Sequence, residues 1–167
     1  MPVSSSILHL MCGKIASGKS TLSAKLGAQG QTVMLSEDVW LGALFADQMQ
    51  SVADYVRCSS RLQAVMGPHV ISLLNAGASV VLDFPANTIQ QRRWMREIVQ
   101  QSGSAHQMHV LEVPDDVCLT RLHARNASGE HPFAVTEEHF HQITRHYEPP
   151  TPEEGFEIVR HSHAGED

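Results

Sequence analysis

Alternation of short apolar runs with longer helical stretches predicts an α/β layered domain built on a mostly parallel, five-stranded sheet. Residues 7–12, 32–35, 79–84, 107–113 and 156–160 are short β-rich runs of strand length, each separated from the next by helical sequence. The run Ser79-Val80-Val81-Leu82-Asp83-Phe84 is continuous rather than alternating, as in a strand covered on both faces.

The elements follow in order. The first strand, Ile7-Leu8-His9-Leu10-Met11-Cys12, runs into a glycine-containing turn, and a helix is expected over 19–29. Leu22 and Leu26 share one face of that helix, and Gly27 and Gly30 end it. After the strand at 32–35, helix is expected over 38–47 and 54–75. The longer stretch offers Val56, Leu62, Val65, Met66, Val70, Leu73 and Leu74 as apolar positions, and Gly67-Pro68 is expected to kink or divide it. Gly77 closes it. Thr88 is read as the cap of a helix reaching 102, with Ile89, Met95, Ile98 and Val99 as its core stripe. Helices at 115–125 and 136–147 flank 126–134, read as a mobile loop from Gly129 and Pro132. Glu148-Pro149-Pro150-Thr151-Pro152 is a rigid lead into the last strand.

Composition narrows the possible functions. A chain of 167 residues with 42% hydrophobic and 18% charged residues is sized for one globular domain, 1–167, with loose ends. No run approaches the ~18 apolar residues of a membrane span, and the N-terminus lacks the basic start of a signal peptide. A cytoplasmic location is expected. Cys12, Cys58 and Cys118 lack CxxC spacing and read as free, buried thiols. Eleven histidines raise the question of metal. However, His139 and His141 are two apart, His161 and His163 fall in a polar tail, and there is no HExxH or Cys/His quartet, so no zinc site is expected. A net charge of −6 disfavours a long nucleic-acid backbone, though it leaves room for one strand end.

Gly13-Lys14-Ile15-Ala16-Ser17-Gly18-Lys19-Ser20 matches G-x-x-x-x-G-K-[ST] in full, with a second hydroxyl at Thr21. It stands directly after a strand and opens a helix. Glycines let backbone N–H groups converge on phosphates, and the helix N-terminus adds its partial positive charge. Lys19 reaches toward the β- and γ-phosphates, and Ser20 offers its hydroxyl to Mg²⁺. The expected ligand is therefore ATP with Mg²⁺.

The remaining motifs point to transfer rather than hydrolysis. There is no Asn-Lys-x-Asp segment for guanine. The third strand ends Leu82-Asp83-Phe84, with one acid and no second carboxylate to polarise water. Asp83 is expected to face the metal. An acceptor hydroxyl needs a nearby carboxylate, and Asp38 is the candidate, with Glu37 beside it as the other; Asp38 can equally cap the following helix. Arg121 and Arg125, four apart on one helix face, can close over transition-state charge as catalytic residues or form a solvated edge. Arg92, just after Asn87, is a candidate for holding an anionic or polar substrate, or one of a solvated face with Arg93 and Arg96.

These pieces occur together: the loop, Ser36-x-Asp38, Val80-Val81-Leu82-Asp83-x-x-x-Asn87 with Arg92, Cys118-x-x-Arg121-x-x-x-Arg125-Asn126, Tyr147-Glu148-Pro149-Pro150, and Glu153-Glu154-Gly155-Phe156. As a set they resemble the bacterial ATP-binding P-loop kinases of the polynucleotide-kinase and zeta-toxin-like group. The resemblance implies a three-layer P-loop kinase fold, with strand order 2-3-1-4-5, helices on both faces and a short lid at about 121–135. It also implies Asp38 as base, Arg121 and Arg125 as lid arginines, and adenine near Arg160-His161; Asn87 and Arg92 are the expected substrate-binding residues from their positions after the third strand. The chain lacks a basic channel for a strand and the longer substrate region of the toxins. The acceptor expected is thus a small-molecule or nucleotide-type hydroxyl. A 5′-hydroxyl strand end and a nucleotide-binding regulatory role are the alternatives.

Overall fold

In the computed structural model, which describes residues 5–129 and 135–162, the run Ile7–Cys12 is the central strand, β1. The chain continues through α1 (Lys19–Gly27), β2 (Thr32–Ser36), α2 (Glu37–Phe45), α3 (Val52–Asn75), β3 (Ser79–Asp83) and α4 (Ile89–Ser102). It ends with β4 (Ala105–Glu112), α5 (Asp115–Ser128), α6 (Glu137–Thr144) and β5 (Ile158–Ser162). The loose ends, with His163, and residues 130–134 of the expected lid loop lie outside the described residues.

All five strands are parallel, in the order β2-β3-β1-β4-β5. The expected sheet and strand order are therefore present. Parallel neighbours need crossovers, and right-handed crossovers place α1 on one face and α3 and α4 on the other. Leu8, Leu10, Cys12, Val80, Leu82, Met108 and Val110 project to the α3/α4 face and build the main core with Leu62, Met66, Val70, Met95 and Ile98. A second cluster of Val113, Cys118, Leu122 and Phe140 packs under Ile15 and Ala16 of the turn after β1. Cys12, Cys58 and Cys118 are free and buried.

Several local expectations are corrected. Gly67-Pro68 does not divide the long helix: α3 runs unbroken over 24 residues with Pro68 inside it. Its buried face, from Cys58 through Leu62, Met66, Gly67 and Val70 to Leu74, outweighs the hydrogen bond lost at proline. Gly67 faces Trp94 of α4, where a Cβ would make an ordinary 3.4 Å contact with Nε1. Val56 and Val65 are exposed instead of core. On α4, Ile89 is exposed and Arg92 takes its place in the buried stripe with Met95, Ile98 and Val99. The expected cap is present: Thr88 Oγ1 accepts from Gln91 N, and the Gln91 side chain returns to Thr88 N. Helix α5 extends through Asn126 to Ser128, further than expected, because Gly129 in the left-handed region supplies the stop.

His161 belongs to β5, not to a tail, and joins a chain of imidazoles across three strands. His9 Nδ1 lies 3.0 Å from His109 Nε2, and His109 Nδ1 lies 2.9 Å from His161 Nε2.

Candidate functional site

The turn between β1 and α1 is shaped by close backbone approach. A Cβ on Gly13 would fall 2.5 Å from Ser17 Oγ and 3.2 Å from Leu111 Cβ, so a larger residue would have to displace the Ser17 hydroxyl. Gly18 has φ of 103° and Ala16 has φ of 62°. Ala16 pays the usual cost of about 1–2 kcal/mol for an L-residue in that region, and it packs with Ile15 against the Cys118–Phe140 cluster.

A side chain from outside the turn fixes it further. Asn87 Oδ1 accepts from Gly13 N at 3.0 Å, and Asn87 Nδ2 donates to Gly13 O at 2.8 Å. Lys19 Nζ folds back over the loop and donates to Gly13 O at 2.6 Å and Lys14 O at 2.9 Å. Burial lowers the Lys19 pKa, while Asp83 and Asp38 oppose that shift. Ser17 Oγ is buried with no hydrogen-bond partner among the described residues. A pinned loop, an ammonium held on loop carbonyls and an unpartnered hydroxyl fit a phosphate ligand. Ser20 and Thr21 stand exposed at the mouth.

Two acids face this cradle. Asp83 ends β3; burial pushes its carboxyl up, Lys19 draws it back and Asp38 pushes it up again. Glu37 and Asp38 are adjacent but inequivalent. Glu37 is buried, accepting from Tyr55 Oη at 2.5 Å and Ser59 Oγ at 2.9 Å, and burial raises its pKa. Asp38 is exposed in the first turn of α2. The helix cap is Ser36, whose hydroxyl accepts from Val39 N, so Asp38 is not the cap. Tyr55 and Ser59 escaped the sequence reading; their four-residue helical spacing was the available signal.

The carboxylate of Asp38 also acts on Arg125 from α5, raising a pKa that burial lowers. Arg125 Nε is buried without a hydrogen-bond partner among the described residues. Arg121, one turn earlier, is half-buried and acts on Cys118. Lys19, Asp38, Asp83 and Arg125 thus share one electrostatic neighbourhood. Beside it, a cavity of about 420 Å³ is lined by Lys14, Val113, Pro114, Tyr147, Pro149 and Arg160, among others.

Two expected substrate residues are placed otherwise. Both polar ends of the Asn87 amide are engaged by Gly13, so it positions the loop. Arg92 has a fully buried side chain: Nε donates to Glu154 Oε1 at 2.7 Å and Nη1 to Ala86 O at 2.9 Å and Glu148 O at 2.7 Å. It ties the segment after α6 to α4. Among the described residues no group of three or more His, Cys, Asp or Glu side chains is arranged to hold a metal ion, and no helix is long and apolar enough to cross a membrane.

A family model described as AAA domain matches residues 8–150. No curated protein sequence matches the chain. Among solved structures, an inferred kinase of Chloroflexus aurantiacus is similar at 20% identity and a TM-score of 0.73, over 95% of this chain and 86% of that one. The APS kinase CysC of Mycobacterium tuberculosis, solved with AMPPNP and APS, is similar at 23% identity and 0.61, over 95% and 88%. A chain of the Pnkp1/Rnl/Hen1 RNA repair complex is similar at 19% identity and 0.61, over 84% of this chain and 43% of that one. At these identities the likenesses establish the fold.

Proposed function

The chain belongs to the AAA domain family, and from that premise we propose that it is an ATP-dependent kinase transferring the γ-phosphate to a hydroxyl of a small-molecule or nucleotide-type acceptor. The observation that carries this reading is the contrast between two adjacent carboxylates. Glu37 is buried and hydrogen-bonded in place, whereas Asp38 is exposed and electrostatically linked to Lys19, Asp83 and Arg125.

In this reading the backbone of Gly13, Ala16, Ser17, Gly18 and Lys19 holds the phosphates, with Ser20 and Thr21 at the helix start. Lys19 leaves the loop carbonyls for the β- and γ-phosphates. Ser20 and Asp83 would hold Mg²⁺, which would supply charge neutralisation of the phosphates when bound. The cavity beside Lys14 and Tyr147 accommodates the base, with Arg160 in its wall as the resemblance implies. Asp38 accepts the acceptor's proton as the hydroxyl oxygen bonds to the γ-phosphorus and the β–γ bridging bond breaks, leaving ADP. Arg125, with Arg121 behind it, stabilises the charge on the transferring group. Having one strand-end acid at Asp83 favours a hydroxyl over water as the nucleophile. The fold shared with a chain of an RNA repair complex supports a 5′-hydroxyl strand end as the second reading.

Single-turnover transfer from γ-labelled ATP into a pool of hydroxyl metabolites and short 5′-hydroxyl oligonucleotides tests this. Transfer should appear and should fall about 10²–10⁴-fold in Asp38→Asn. Slow hydrolysis alone, unchanged by that substitution, would replace the kinase with a nucleotide-binding regulatory protein.

A further inference from the structure

A second cavity, of about 660 Å³, opens at the start of α4. Its walls include Thr88, Ile89 and Arg93 from that helix start and Arg145, His146 and Glu148 from the segment after α6. The size is that of a small-ligand site, in the usual range of about 300–1,000 Å³. Arg57, Arg92 and Arg160 are each paired with a carboxylate of the chain. Arg93 and Arg145 are exposed, and among the described residues neither guanidinium has an ion-pair or hydrogen-bond partner. Two guanidinium groups from separate segments therefore converge on one cavity in a chain of net charge −6.

The cavity adjoins the phosphate cradle. Glu148 N donates to Asn87 O at 2.8 Å, and the Asn87 amide grips Gly13. Asn87, the neighbour of the cavity's Thr88, thus bonds both to Glu148 of the cavity wall and to Gly13 of the loop.

We propose that this cavity seats a phosphate monoester carried by the acceptor, whose hydroxyl is presented to Asp38. This rests on the kinase reading above. Forked guanidinium donors match phosphate oxygens in pairs. The two arginines outweigh the Glu148 carboxylate by a single charge, which suits one phosphate and not a polyanionic backbone. The substrate class is then a phosphorylated alcohol.

The test is calorimetric titration of the full chain, its cradle first saturated with ADP and Mg²⁺, using inorganic phosphate and glycerol 2-phosphate as probes. One further site of millimolar affinity is expected for both. Arg93→Gln with Arg145→Gln should weaken it about 100-fold, roughly tenfold for each lost charge-assisted contact; both exchanges are at exposed positions, and ADP binding reports that the fold survives. The proposal is overturned if the wild-type ADP complex binds neither probe up to tens of millimolar, or if the double variant binds them equally well. It is overturned too if a dinucleotide phosphodiester displaces the monoester, which would assign the cavity to a strand end. The titration involves no turnover, so its failure leaves the kinase reading intact, and a failure of phosphoryl transfer is read separately.

Discussion

Replacing Arg92 with methionine should destabilise the protein without addressing the acceptor. The guanidinium is fully buried and serves three separate segments: Glu154 at 2.7 Å, Ala86 O at 2.9 Å and Glu148 O at 2.7 Å, with Pro149 O at the 3.5 Å limit. Methionine keeps much of the volume but leaves two carbonyls and a carboxylate without their donors. Breaking a buried pair on one side costs about 3–5 kcal/mol. Glu154 retains 17% exposure and a hydrogen bond from Thr151 N at 2.8 Å, which places the expectation near the lower end, about 3 kcal/mol. For a domain of this size that lowers Tm by about 6–12 °C. Glu154→Gln keeps an acceptor and loses only the charge, so about 1–2 kcal/mol is expected. Urea unfolding followed by circular dichroism measures both, and the double variant gives the coupling. Burial pushes the Glu154 carboxyl up, but Arg92 and Thr151 outweigh it and hold the pKa below the usual range. The stability it contributes is therefore present above the unfolded carboxylate pKa and lost as pH falls through the folded one. A loss below about 1 kcal/mol in Arg92→Met, together with weakened acceptor binding, would refute this and return Arg92 to the substrate side.

Lys19→Ala should abolish the thermal stabilisation that ATP and Mg²⁺ give, measured by differential scanning fluorimetry; an undiminished shift would place the nucleotide elsewhere. Arg125→Ala should depress kcat by about 10³-fold or more while changing ATP affinity little. Equal losses in both would make it a ground-state ligand. His109 is held near a pKa of about 4 by burial, with His9 and His161 adding to the shift. A histidine with a folded pKa below its unfolded value near 6.5 costs stability as pH falls between those values. Up to about 3 kcal/mol should be lost from pH 7 to pH 4 on this account. His109→Leu should flatten that part of the stability profile.

Most of the fold was legible because its signals are local. Strand-length apolar runs and a glycine-containing turn opening a helix fix β1, the loop and α1, and Thr88 announces α4. Pro68 misled because helix propensity is decided there by a buried face that only the packed structure supplies. Asp38 and Glu37 were indistinguishable as neighbours in sequence. Their difference arises from Tyr55 and Ser59, which reach Glu37 from α3. Arg92 was read as a substrate ligand because an arginine near a strand end looks solvent-facing. Its partners lie 56 and 62 positions away at Glu148 and Glu154, and no local pattern announces such a contact. The cavity at Arg93 and Arg145 was hidden for the same reason.

The three imidazoles across β1, β4 and β5 carry a further constraint. A neutral ring has one N–H, and each contact joins a Nδ1 to a Nε2. If His161 donates from Nε2, His109 must also carry its hydrogen there, and so must His9. If His9 donates from Nδ1, the other two follow. The rings therefore share one tautomeric state, stored once across three strands. A proton added at His109 makes it donate in both directions, so His9 keeps its hydrogen on Nε2 while His161 keeps its own on Nδ1. Charging the middle ring thus reverses one end of the chain and leaves the other unchanged.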